Sequence, residues 1–200
     1  MCKRSVYLAV LPLFLGTSCQ WGEKPGGLSS DTFPPEAVDH LEMTITLEVE
    51  IAGIGKDKVQ LEGTVVVHRS GPRGADGKTM VGNMVGASFR GTSDVFGPVV
   101  ASQSPILQSP CQYTYEGPGQ YNGYIDINGW FWLPDHNLMT YSDGPVRVEG
   151  TASRIPPVGQ KAKITAEQVS LHDLSKAKGN PIGFLSRASG EIKAVVFLPR

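Results

Sequence analysis

Side chains that can move a proton, hold a metal, attack a carbon or stack on a ring are few in this chain and poorly grouped. The four histidines are His40, His68, His136 and His172, and no two lie two or four residues apart, so no local zinc-type pair exists. Asp135-His136-Asn137 and His172-Asp173 set oxygen and nitrogen donors side by side. Neighbouring residues of a strand point to opposite faces, which argues against joint ligation. The first group follows Pro134 and reads as a solvated turn. Ser175-Lys176-Ala177-Lys178 has the Ser-x-x-Lys spacing of an acyl-transfer nucleophile without its companion motifs, and no Gly-x-Ser-x-Gly elbow occurs. Asp126-Ile127-Asn128-Gly129 has the opening of a calcium loop without the later ligands and closing Glu. No metal and no cofactor is expected, and no catalytic residue is assigned.

The aromatic residues are better placed. Between Tyr121 and Leu133 the odd positions include Tyr121, Ile125, Ile127, Phe131 and Leu133, and the even ones include Tyr124, Asp126, Asn128, Trp130 and Trp132. If the odd face is core, Tyr124, Trp130 and Trp132 stand together on the other face beside Asp126 and Asn128. Rigid rings next to carboxylates and amides suit a sugar or a peptide, so these five are the candidate ligand-binding residues. Two other arrangements stay open: a central strand covered on both faces, and a bulge at Gly129 that turns the Trp pair inward.

The elements that must position these residues read as short strands. Leu41, Met43, Ile45, Leu47, Val49 and Ile51 alternate with Glu42, Thr44, Thr46, Glu48 and Glu50, the period-two pattern of a half-buried strand. Lys58 to His68 repeats it after a glycine turn, which predicts a hairpin. Further strand candidates are 79–89, 95–101, 111–116, 121–133, 146–152, 163–172 and 191–198. The best helical stretch, Thr165 to Lys178, fits a helical face only loosely. The 24 Gly and 15 Pro are spread in short clusters between apolar runs, as turns between strands. Nine or ten short strands predict an all-β antiparallel sandwich, with a small β-barrel as the alternative. Residues 41–200 form the single domain, and the Gly-, Pro- and Ser-rich residues 19–40 precede it as a flexible tether.

The first nineteen residues carry an address. Lys3 and Arg4 precede an uncharged run from Val6 to Leu15, then small Gly16-Thr17-Ser18, then Cys19. The run is too short to span a bilayer and suits a signal peptide over residues 1–18. With its cysteine directly after the small residues, the segment resembles the signal of bacterial lipoproteins. The resemblance covers only this segment. It implies an acylated Cys19 and a membrane-anchored envelope protein. Gln20 in place of Asp implies the outer membrane where the host has one. Gly16 stands where the family usually has an aliphatic residue, and Gly16 with Ser18 also suits an ordinary signal peptidase. Cys19 is then free to pair with Cys111. Removing residues 1–18 takes away two of the 18 basic residues and none of the 19 acidic ones, leaving a net charge of −3. With no basic cluster, a nucleic-acid partner is not expected.

Three functions follow from the sequence. The first is a non-catalytic lipoprotein that binds a glycan, a peptide or an envelope protein, or serves as part of the envelope. The second is a small barrel that carries an apolar ligand such as a lipid through the periplasm. The third is a hydrolase whose site is assembled from distant residues such as His136 and His172.

Overall fold

The computed structural model describes residues 33, 35–73, 75–159, 161–165, 168–176 and 179–195, with the backbone alone at 161–165 and 194–195. Twelve strands form within them: β1 (Ala37–Ile51), β2 (Gly55–Arg69), β3 (Thr79–Ser93), β4 (Gly97–Gln103), β5 (Ser109–Gly117), β6 (Gln120–Ile127), β7 (Gly129–Leu133), β8 (Leu138–Ser142), β9 (Val146–Ala152), β10 (Lys161–Thr165), β11 (Val169–Asp173) and β12 (Gly183–Val195). The one helical element among the described residues is a 3₁₀ turn, Pro134–His136. None of their helices is long and apolar enough to cross a membrane.

The all-β antiparallel architecture is that expected from the sequence, and its pairings close on themselves. β1 pairs with β2 from Ala37↔Arg69 to Ile51↔Gly55, and on its other side with β12 from Leu41↔Val195 to Ile51↔Gly183. Four long strands, β12, β1, β2 and β3, make one wall. The facing wall consists of strands broken at mid-height: β4 with β5, β7 with β6, β8 with β9, and β11 with β10. β3 joins both halves, since Ser88–Ser93 pair with β4 and Thr79–Met84 with β5. β12 does the same at the other margin, pairing with β11 near Leu185 and with β10 near Ala188. The two facing layers are therefore opposite walls of one closed antiparallel barrel of up-and-down connections.

The breaks follow from residue chemistry. Proline lacks a ladder donor, and Pro105 falls in the β4/β5 break with Pro110 at the start of β5, while Gly144-Pro145 lies at β8/β9. Polar side chains take over where the ladder stops. The Asn128 backbone N–H donates to Ser109 Oγ at 3.0 Å, its Nδ2 donates to the Gln108 carbonyl at 2.7 Å, and its carbonyl accepts from Ser104 N–H at 2.8 Å. Ser142 Oγ faces the Gly129 carbonyl at 3.3 Å. A polar seam thus crosses the broken wall at mid-height.

Above and below the seam the interior is filled differently. At the β1–β2 turn end, where Gly53 takes φ +79 as only glycine does easily, Leu61, Phe96, Val59 and Leu171 are fully buried. At the other end the rings of Phe33, Tyr115 and Tyr121 pack with centroids 5.2 to 6.3 Å apart. On the paired ends of β1 and β2, Arg69 Nε lies 2.5 Å from Asp39 Oδ2, both side chains buried, and the guanidinium also donates to the Pro35 carbonyl. Residues assigned to the tether are thereby part of the domain: β1 starts at Ala37 and Phe33 is core. Thr165 to Lys178 holds the strand β11 and a turn, because Val169 and Leu171 face inward at strand spacing.

Candidate functional site

Between the two filled ends lies a cavity of ≈ 120 Å³. Long walls and small inward residues produce it. Ala87 on β3, Ala101 on β4, Gly123 on β6 and Ala188 with Gly190 on β12 border it where larger side chains would fill the barrel. Met43, Ile45, Met84, Ile125, Ile127 and Phe131 supply most of its apolar surface. This explains a departure from the expected pattern in β1. Met43 and Ile45 point inward, yet they are only partly buried, unlike Leu41, Leu47 and Val49, because they face the void.

Among the polar residues that border the cavity, Tyr113 and Gln103 were not singled out in the sequence. Tyr113 lies on β5 against Gly123, where a Cβ would stand 2.3 Å from the ring. Burial, then Cys111 and Asp39, push its phenol well above the usual range. Gln103, at the end of β4, donates from Nε2 to the Met84 carbonyl at 2.6 Å, while its Oε1 is buried with no hydrogen-bond partner. Inward alternation from Cys111 to Tyr113 would have flagged Tyr113. Gln103 carries no sequence signal, because its role depends on the break that follows it.

The outer face of β6 and β7 holds the residues expected to bind a ligand, divided into separate groups. Asp126 and Tyr124 are engaged by Arg147 of β9: Nε and Nη2 donate to the two Asp126 oxygens at 2.7 Å each, and the guanidinium carbon lies 4.2 Å from the Tyr124 ring centre. Asn128 is buried in the seam, so it stands inside the wall and not on the aromatic face. The expected strand 121–133 is two strands, and Asn128 is the break. Trp130 is half-buried beside the cavity, while Trp132 is 41% exposed. The register places Trp130 opposite Tyr141, whose ring stacks on His172 at 5.4 Å.

The remaining candidate groups are tied into local structure. His172 Nδ1 lies 3.0 Å from the Gly179 carbonyl and Nε2 lies 3.3 Å from Asp143 Oδ2, so both ring nitrogens face oxygen acceptors. Ser175 Oγ donates to Asp173 Oδ1 at 2.6 Å, and Lys176 lies 3.1 Å from the same carboxylate. These bonds hold the Asp173 carboxyl below the usual range, the Ser175 hydroxyl contributing most. His136 sits exposed on the 3₁₀ turn. Among the described residues, no three His, Cys, Asp or Glu side chains are grouped as metal ligands. Cys111 is a buried core residue whose thiol is pushed up to about 11 by burial and by Asp39. Cys19 lies outside the described residues, as do the signal segment and most of the tether.

No curated protein matches the chain in sequence. A solved structure, DynF from the dynemicin biosynthesis pathway of Micromonospora chersina, is similar in fold. Its TM-score is 0.76 at 21% identity, covering 83% of this chain and 84% of DynF. At that identity the likeness extends to the fold alone. A family profile matches residues 24–197, which contains every described strand, and the chain accordingly belongs to the family described as a family of unknown function, DUF6073.

Proposed function

We propose that this protein is a non-catalytic binding protein that holds a small apolar molecule inside its barrel. The observation that carries the reading is the ≈ 120 Å³ apolar cavity at the level of the seam. A dry void of about 150 Å³ lined by aliphatic and aromatic side chains takes a benzene-sized guest. The cavity therefore suits a single ring or the end of an apolar chain. Met43 and Met84 in its lining adapt to guests of different shape. Transfer of apolar surface out of water drives the binding, at about 25 cal/mol per Å² buried. DynF, of similar fold, comes from a biosynthesis pathway, a setting compatible with small-molecule binding.

On this reading the protein works at the cell envelope, exported by residues 1–18 and anchored through acyl chains on Cys19. The layout of that segment supports the address. Mass spectrometry of the mature N-terminus tests it: acyl groups on Cys19 are expected, and an unmodified Cys19 bonded to Cys111 would sink the anchor. Binding in the barrel is tested by titrating the protein with benzene, toluene and indole. Saturable binding is expected, with Tm rising with ligand concentration as linkage requires. Ala87→Leu, which puts a larger side chain into the void, should abolish the binding while Tm holds or rises. Absence of saturable binding in the parent protein refutes the reading.

A further inference from the structure

A guest needs a way in, and between β3 and the β4–β5 crossing the wall is interrupted next to the cavity. On the side of β3 that faces β4 and β5, the register runs Met84↔Ser109 and then Ser88↔Ser102. Val85, Gly86 and Ala87 have no register partner there. The register shift between Val66 and Val67 on β2 places Val85 as the extra residue of a bulge, which bends the strand outward at this point. The chain between Ser102 and Ser109 crosses the same gap, and Met84, Ala87 and Gln103 on its two margins all border the cavity.

The two margins are held unequally. Toward β6 and β7 the crossing segment is fixed by Ser104 N–H to the Asn128 carbonyl and by Asn128 Nδ2 to the Gln108 carbonyl. Toward β3, side chains provide two contacts: Gln103 Nε2 to the Met84 carbonyl and Ser102 Oγ to the Ala87 carbonyl at 2.7 Å. The Gln103 amide is only half satisfied, since its Oε1 has no partner. Swinging it away therefore exposes an acceptor to water and recovers hydration that the closed form lacks. Outside, the rim is apolar: Ile106 is 86% exposed, Val85 58% and Leu107 47%. No charged residue lies between Ala101 and Pro110.

We propose that this gap between β3 and the β4–β5 crossing is the entrance to the cavity, hinged at Asn128 and latched by Gln103. The inference rests on the binding reading above and adds the route and the residue that controls it. An amide with only one of its two ends satisfied makes the latch weak, and the exposed aliphatic rim gives an apolar guest a first contact outside the barrel.

The test uses a thiol placed inside the cavity, Ala101→Cys, in a Cys111→Ala background. Labelling at residue 101 by a small neutral thiol reagent is read by peptide mass. Gln103→Ala and the size-matched Gln103→Met should each speed labelling at least tenfold in the absence of denaturant, at a temperature well below the Tm of each variant. For indole, both variants should raise the association rate and the dissociation rate together, each by a larger factor than any change in Kd, as the lowering of a barrier requires. Labelling that Gln103 variants do not alter, or that rises only in step with global unfolding in urea, overturns the entrance. So does a rate that responds to Pro157→Gly, at the β9–β10 side of the cavity, and not to Gln103. The labelling measurement needs no ligand. An empty indole titration therefore sinks the binding reading while the opening is judged separately.

Discussion

At the scale of single residues, the buried Asp39–Arg69 pair is the sharpest test of how the barrel end is built. Two charges are buried together, and the guanidinium also holds the Pro35 carbonyl. Removing one partner leaves the other charge buried and unpaired, a loss of about 3 to 5 kcal/mol. Asp39→Leu alone should therefore destabilise strongly in chemical denaturation. Asp39→Leu with Arg69→Met should recover most of the loss, because no orphan charge remains. Cys111 gives a second test. Its thiol is raised from 9.0 to about 11 by burial and by Asp39, so the folded state favours the neutral form. The stabilisation is fully present below about 9 and is lost as pH rises toward about 11. A thiol reagent at pH 8 should leave Cys111 unmodified in the native protein and label it in denaturant. The Trp pair separates by burial in the same way. Trp132→Ala on the open face should change stability little, whereas Trp130→Ala, half-buried beside the cavity, should cost more.

At the scale of elements, the inward and outward faces of β1 differ in what they contribute. Leu47 is buried and its neighbour Thr46 faces outward. Leu47→Ala should cost about 2 to 5 kcal/mol and Thr46→Ala far less, as measured by urea denaturation; equal costs would contradict the faces. This face assignment was legible in the sequence, because period-two alternation follows directly from strand geometry. The same holds for the hairpin of β1 and β2. The seam was not legible. Asn128 reads as one more polar residue in an alternating run, and only the stop in pairing on both sides reveals it as the clamp between β6 and β7. Local composition also misdirected the reading of Thr165 to Lys178. Helix formers there yield to cross-strand partners, since Leu171 pairs with Ser142 and with Gly183. Asn128→Ala should cost about 1 to 3 kcal/mol through the Gln108 carbonyl left without its donor, with amide exchange rising first at Ser104 and Gly129.

At the scale of the molecule, closure and hollowness were the features hidden in the sequence. Strand count and spacing suit either a sandwich or a barrel, and what closes the ring is register between the first and last strands, which no local pattern records. The cavity was hidden for a related reason. Ala87, Ala101 and Ala188 look like ordinary strand residues until three distant strands bring them around one space. Closure has one more consequence. The pairing Leu41↔Val195 sets the beginning of the first strand beside the end of the last, so the ring has no privileged starting point. The order in which the strands are synthesised should then be interchangeable. A circular permutant that joins the two ends by a short flexible linker, and opens the chain in the exposed turn between β1 and β2, keeps every register pair along the strands. It should fold to the same barrel, with its circular dichroism unchanged and its Tm lowered only modestly. A cut in the Gln103–Gln108 crossing should behave differently: the ring would still close, but at the proposed entrance the cavity should stand open to water.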